Sequence, residues 1–157
     1  MPLNPEMNLL IRPLRAADEP EWRRLWTGYL AYYETVLPEA IYRTTFARLL
    51  SGDPQEFHGL IAELDGKPVG LTHYVFHRSC WSVENNCYLQ DLFVDPEVRG
   101  KSIGRALIEA VYTASDKAGH PNVYWQTQHF NAAGRRLYDR VGELSDFIVY
   151  GRPGFDA

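Results

Sequence analysis

Apolar positions change their spacing several times along this chain, and each change predicts a new element. Asn8–Pro13 (NLLIRP) is a short apolar run stopped by proline and reads as a strand. Asp18 then predicts an N-cap, with Glu21 completing a capping box. Trp22, Leu25, Trp26, Tyr29 and Tyr33 recur at helical spacing, so a first helix follows and ends before Pro38. A second runs from about Pro38 to Leu50 and is closed by Ser51-Gly52-Asp53-Pro54. The spacing then falls to every second residue. Phe57–Leu64 (FHGLIAEL) and Pro68–His77 (PVGLTHYVFH) read as strands joined by Asp65-Gly66, a hairpin turn pair. Cys87–Val94 (CYLQDLFV) is the most strand-like run of all, and Asp95-Pro96-Glu97 ends it. Ile103, Ala106, Leu107, Ala110, Val111 and Ala114 share one face of a helix that Gly119-His120-Pro121 stops. Asn122–Gln128 reads as another strand, Asn131–Val141 as another helix and Phe147–Tyr150 as a last strand.

The order is β-α-α-β-β-β-α-β-α-β. A hairpin meander leading into a βαβ unit predicts an α/β (mixed α+β) fold with a mixed central sheet and helices on both faces. No repeat, low-complexity tract or linker interrupts the 157 residues, so a single domain spanning 1–157 is expected. A hydrophobic content of 45% and an aromatic content of 13% exclude a disordered or fibrous chain. The net charge of −4 argues against a general nucleic-acid binder, which needs a basic face, and is mildly compatible with cationic substrates. Cys80 and Cys87 have no His or Cys cluster beside them, and two reduced, partly buried thiols are expected. His73 and His77 lie four apart on a predicted strand, which is not the spacing of a helix-borne metal pair, so no metal is expected. Met1–Asn8 carries Pro2, Asn4, Pro5 and Glu6 where a secretory leader needs an apolar run. No apolar run approaches the ~20 residues of a membrane span. A soluble, cytoplasmic protein without a membrane partner is therefore expected.

Candidate chemistry concentrates in Tyr88–Ile108 (YLQDLFVDPEVRGKSIGRALI), where an apolar strand turns into Arg99-Gly100-Lys101-Ser102-Ile103-Gly104-Arg105 and then a helix. This is the making of an anion site. The first turn of a helix leaves backbone N–H groups without carbonyl partners, and the helix dipole places partial positive charge there. Glycines let a phosphate approach the backbone, and Arg99, Lys101 and Arg105 add charge. A P-loop would need glycine where Asp95 stands, and a dinucleotide fingerprint would need three glycines where only Gly100 and Gly104 occur. A different pattern does match: arginine or glutamine, two residues, glycine, one residue, then glycine or alanine, after a strand ending in an apolar-Val-x-Pro run. Arg99, Ser102 and Gly104 fall on its fixed positions, and FVDPEVRGKSIGRAL resembles the acetyl-CoA loop of the GNAT superfamily of N-acetyltransferases. Ser102 stands where that family has glycine, which costs about 1 kcal/mol or more if the backbone there is left-handed.

A second segment, Tyr124–Val141 (YWQTQHFNAAGRRLYDRV), is similar to the family's distal motif in Asn131, Gly134, Leu137 and Tyr138, with glycine where alanine is commoner. Asn131 is a plausible N-cap, and Tyr138 lies two helical turns on along the same face. Together the two segments resemble the histone and polyamine acetyltransferases and the spermidine/spermine acetyltransferases within the superfamily.

The resemblance implies an acetyl-CoA-dependent enzyme that acetylates a primary amine in a ternary complex, without a metal. It implies that Arg99–Arg105 hold the cofactor's phosphates and that the main chain of Leu92, Phe93 and Val94 pairs with the pantetheine arm like an added strand. A backbone N–H near Leu92 or Phe93 would polarise the thioester carbonyl. Asn131 would reach the pantetheine and Tyr138 would protonate the departing thiolate. The proton acceptor is left open. In polyamine-acetylating relatives a carboxylate occupies the position of Gln90, and alternation along the strand sends Gln90 and Asp91 to opposite faces unless a bulge intervenes. Asp91, Glu84, His73 or a water chain are the candidates, and Glu84 is also expected to face the substrate. Tyr29, Tyr32, Tyr33 and Glu34 form an aromatic and acidic group suited to a cationic substrate, although Tyr29 and Tyr33 also fit a buried stripe. A small-molecule amine is the expected substrate. A peptide lysine or N-terminus, an acyl-CoA sensor without catalysis and a nucleotide-phosphate binder are the alternatives. Relatives often dimerise, so a homodimer is expected.

Overall fold

Residues 8–154 are described by the computed structural model, so most of the opening segment Met1–Asn8 lies outside the described residues. The chain separates into two compact units, Met1–Gln126 and Thr127–Ala157. In the first, the strands are β1 (Leu9–Pro13), β2 (His58–Leu64), β3 (Lys67–His77), β4 (Asn86–Val94) and β5 (Asn122–Tyr124), and the helices are α1 (Glu19–Tyr32), α2 (Glu39–Leu50) and α3 (Ile103–Lys117). The second holds α4 (Ala132–Val141).

The five strands form one sheet in the order β1-β2-β3-β4-β5, antiparallel except for the parallel β4–β5 pair. The β2–β3 hairpin turns through Asp65 and Gly66, both left-handed at φ 51° and 83°, as a two-residue turn matched to strand twist requires. One face of the sheet carries α1 and α2. Trp22, Leu25, Trp26, Leu30, Phe46 and Leu49 from those helices form one cluster with Ile61, Leu71 and Phe93 from three strands. The other face carries α3, whose Ile103, Leu107, Ile108 and Val111 are at most 1% exposed. Burying each of these side chains is worth roughly 1.5–3 kcal/mol as an upper figure. Both faces are covered, as the mixed-sheet expectation requires.

Several local expectations are corrected. Asp18 makes no capping bond to α1. Its carboxylate accepts from the two terminal guanidinium nitrogens of Arg12 at 2.8 Å and from the Arg15 amide at 2.7 Å, and Arg12 also reaches Glu63. A strong donor fork on the neighbouring strand outcompetes the helix's own amides. The hydrogen bonds from Arg12 hold the Asp18 carboxyl below its usual range. The predicted strand Asn122–Gln128 is only three residues long, since its ladder with β4 ends at Tyr88↔Tyr124. The predicted last strand, Phe147–Tyr150, does not form. A strand exists only in a ladder, and these four side chains are instead 63–89% exposed. Of the thiols, Cys80 is exposed rather than partly buried, whereas Cys87 is buried and pushed up to about 11 by desolvation. No helix among the described residues is long and apolar enough to cross a membrane.

In the second unit, Asn131 caps α4 and is itself held by Thr127. Its Oδ1 accepts from the Gly134 amide at 3.1 Å and its Nδ2 donates to Thr127 Oγ1 at 3.0 Å. A Cβ at position 134 would stand 2.4 Å from that Nδ2, so glycine replaces the commoner alanine because the cap folds over it. In the first unit, α3 is preceded by Ser102 at φ 61° and ψ 19°, the left-handed conformation that the family's glycine would adopt freely.

Two stability predictions follow from these backbone features. Ser102 makes no capping bond to α3, so Ser102→Gly should raise the unfolding free energy by up to about 1 kcal/mol in chemical denaturation, strain relief outweighing the entropy glycine adds. A loss of stability would show that the serine side chain is held by a contact that outweighs the strain. Gly134→Ala, ordinarily worth about 1 kcal/mol in a helix interior, should give no gain because it displaces a cap of about the same value. A full gain would show that the Asn131 cap moves aside without cost.

Candidate active site

The site begins with an irregularity in β4. In the β3–β4 ladder Tyr74 pairs with Leu89 and His73 with Asp91, which leaves Gln90 as an extra residue without a partner. This bulge resolves the alternation problem. Tyr88 and Asp91 lie opposite Val75 and His73, two positions apart on β3 and therefore on one face of the sheet. That face is the one covered by α1, because Trp22 of α1 touches His73. Thr72 Oγ1 donates to the Asp91 carbonyl at 2.8 Å, satisfying a backbone acceptor at the disturbed ladder. Gln90 itself is exposed.

Asp91 is only 7% exposed and sits in a polar chain. Its Oδ2 is 2.8 Å from His73 Nδ1, and His73 Nε2 is 2.9 Å from Trp22 Nε1. Tyr29 of α1 faces the Asp91 carboxylate, and burial together with that charge raises its phenol. Tyr33 and Tyr88 are raised in the same direction, chiefly by burial, and both feel the Asp91 charge. Tyr29 and Tyr33 rings meet edge to face at 5.2 Å, and Tyr33 meets Tyr32 at 5.0 Å. On the far side Tyr88 packs on Tyr124 at 4.9 Å, and Tyr124 contacts His77 Nε2 at 2.7 Å. A buried carboxylate walled by phenols is suited to an ammonium group or to taking its proton.

Of the expected substrate residues, Tyr29 and Tyr33 therefore meet Asp91. Glu34 and Glu84 do not join them: each is exposed, Glu34 in a left-handed turn after α1 and Glu84 in the loop before β4. His73, an open candidate for the base, has both ring nitrogens occupied. Sequence reasoning missed Tyr88, Tyr124 and the Trp22–His73 contact; the last joins residues 51 apart, for which no local pattern exists.

Beyond Tyr88 the parallel ladder to β5 stops, so Leu89–Val94 of β4 run on without β5. Leu92, Phe93 and Val94 lie on this stretch. The Val94 carbonyl already accepts from Arg99 Nε at 3.0 Å, and the Arg99 guanidinium lies 5.5 Å over the Phe93 ring. Arg99 is thus folded back on β4 and fixes the loop Arg99-Gly100-Lys101-Ser102 where it turns into α3. Gly100 and Ser102 are both left-handed in that loop. The first-turn amides of Ile103, Gly104 and Arg105 have no helical carbonyl behind them, as an anion site requires. Arg105 pairs with Glu109 at 2.8 Å on the surface. Asn131 and Tyr138 belong to the second unit, both half-buried, Asn131 as the cap and Tyr138 two turns along α4. Among the described residues no group of three or more His, Cys, Asp or Glu side chains could hold a metal ion.

Comparison with known proteins identifies the family. The sequence is 35% identical over 148 residues, 94% of this chain and 92% of the relative, to a D-amino-acid N-acetyltransferase of Saccharomyces cerevisiae. It is 31% identical over 99 residues, 58% of each chain, to a thialysine N-epsilon-acetyltransferase of Bos taurus. The fold is similar to the structure of AAC(6')-Iy in complex with the bisubstrate analog CoA-S-monomethyl-acetylneamine, with a TM-score of 0.80, 18% identity and coverage of 92% of this chain and 97% of that one. It is also similar to a ribosomal-protein-alanine N-acetyltransferase from Brucella melitensis, with a TM-score of 0.73, 21% identity and coverage of 92% and 98%. The sequence model of the Acetyltransferase (GNAT) family matches residues 20–142. The chain therefore belongs to the GNAT family of acetyltransferases.

Proposed function

We propose that this enzyme transfers the acetyl group of acetyl-CoA to the primary amine of a small molecule by direct attack in a ternary complex. The observation that carries the reading is Asp91, a buried carboxylate facing Tyr29, Tyr33 and Tyr88 beside the stretch where β4 runs on without β5. An amine arrives protonated and must lose that proton before its nitrogen can attack. Asp91 receives the ammonium and takes the proton. The phenols stack against the cationic head and keep water away from it. Burial of such a carboxylate without an internal cation is costly, which suits a site completed by a cationic substrate.

The stretch of β4 at Leu92 and Phe93, which runs on without β5, supports binding of an extended pantetheine arm by main-chain hydrogen bonds, one N–H of which polarises the thioester carbonyl. The loop Arg99–Ser102 and the first amides of α3 suit the phosphates of the donor. Asn131 contacts the pantetheine, and Tyr138 supplies the proton to the thiolate and regains one from the second proton that the nitrogen releases as the amide forms. Gln90, exposed at the bulge, contacts the acceptor rather than taking its proton. In this reading 1–157 work as one domain. The similarity to a D-amino-acid N-acetyltransferase over most of both chains supports an amino acid as acceptor. A wide aminoglycoside is supported by fold alone.

The test is thiol release from acetyl-CoA in the presence of D- and L-amino acids, thialysine, polyamines, aminoglycosides and a histone-tail peptide. Amine-dependent release is expected with small amines, highest with an amino acid. Tyr138→Phe should lower kcat at least ~10-fold while acetyl-CoA still binds. Preference for the peptide would replace the small-molecule reading with protein acetylation. Tight CoA binding without amine-dependent release would make the protein an acyl-CoA sensor.

A further inference from the structure

We propose that Trp22 and His73 are positioning residues: the indole fixes the histidine as its Nδ1–H tautomer, and that N–H orients the Asp91 carboxylate and makes Asp91 the terminal acceptor of the substrate proton. This rests on the reading of Asp91 given above and goes beyond it, by assigning a function to two core residues buried behind Asp91.

The argument is one of donor inventory. An indole N–H can only donate. Trp22 Nε1 lies 2.9 Å from His73 Nε2, so that nitrogen must offer its lone pair. In a neutral imidazole the proton then resides on Nδ1, 2.8 Å from Asp91 Oδ2, and is donated to the carboxylate. The two distances are mutually consistent with this tautomer alone. In the opposite tautomer, an Nε2–H would confront the indole N–H while Nδ1 faced a carboxylate with no hydrogen between them. An imidazolium would meet the same clash at Nε2. Trp22 is held in place by stacking on Trp26 at 5.1 Å and by Phe46 at 5.0 Å, and is fully buried, so it does not swing away to relieve that clash.

The consequence is chemical. In many catalytic pairs a histidine beside a carboxylate takes the proton and the carboxylate steadies it. Here the order is reversed. Nδ1 already carries its hydrogen and Nε2 is closed by Trp22, so a proton that reaches Asp91 is not handed inward. It remains on Asp91 until solvent removes it. The hydrogen bond to Oδ2 also fixes the plane of the carboxylate, which a short side chain on a bulged strand would otherwise leave loose.

The first experiment needs no variant. In protein labelled with nitrogen-15 histidine, long-range proton–nitrogen correlation at neutral pH should show His73 with a pyrrole-type Nδ1 and a pyridine-type Nε2, the minority tautomer of free imidazole. An Nε2–H or doubly protonated pattern would overturn the proposal. The second experiment compares His73→Asn with His73→Leu. Asparagine places an amide N–H near the position of Nδ1, whereas leucine fills the space without a donor. His73→Asn is expected to keep kcat within a few-fold of wild type. His73→Leu should lose at least ~10-fold in kcat with little change in KM for acetyl-CoA, as expected when a positioned base is loosened. If His73→Leu keeps wild-type kcat while Asp91→Asn loses it, His73 is packing alone and the proposal fails. If Asp91→Asn itself keeps wild-type kcat, the reading of Asp91 fails instead.

Discussion

The candidate site depends on one unpaired residue in β4. With strict alternation, Leu89 and Asp91 would share a face, and Leu89 pairs with Tyr74 on the side away from His73. Asp91 would then face α3, whose packing residues are aliphatic, as an isolated buried charge. The extra residue at Gln90 moves Asp91 to the face shared with His73 and Tyr88, where donors and phenols await it. A bulge costs ladder hydrogen bonds, and the Thr72 hydroxyl recovers one of them at the Asp91 carbonyl. A backbone irregularity and the side chains around it are thus one device.

The aromatic core between α1, α2 and the sheet has a second function beyond filling volume. Trp22 and Trp26 stack as neighbours in the same cluster, but their indole nitrogens differ. Trp22 donates to His73, whereas Trp26 Nε1 is buried without an acceptor among the described residues. A tryptophan is therefore not placed here merely because its N–H always finds a partner. At position 22 the large apolar surface makes the orientation rigid, and the single N–H turns that rigidity into control of a histidine proton. Stability and the geometry of the site meet in one side chain.

Elements and the turn from β4 into α3 were legible in the sequence because their causes are local. Hydrophobic spacing, the Asp65-Gly66 turn and the Arg99–Gly104 pattern each lie within one element or turn, and the structure follows them closely. Failures have non-local causes. Arg12 on β1 claimed the carboxylate of Asp18 that a local rule gave to α1. Phe147–Tyr150 has the composition of a strand, but a strand also needs an edge to pair with, and composition carries no information about edges. The bulge was legible only as a condition, since no residue type in YLQDLFV demands it. The Trp22–His73 contact was not legible at all, being made across 51 residues by a register that only the folded sheet defines.

Between Leu89 and Gly104 the chain departs from regular geometry at both ends, by a bulge at Gln90 and by left-handed Gly100 and Ser102. Such conformations persist only where their surroundings over-determine them. At the bulge the clamp is Thr72 and the His73–Asp91 pair. At the loop it is Arg99, bonded back to Val94, on one side and Ile103 on the other, 1% exposed directly after the strained serine. Burial of Ile103 against the sheet fixes where α3 must start, and the left-handed turn is the conformation that lets a chain leaving β4 reach that point. The strain at Ser102 is therefore a consequence of packing the helix. The amides it turns outward at the start of α3 are what that packing makes available for an anion.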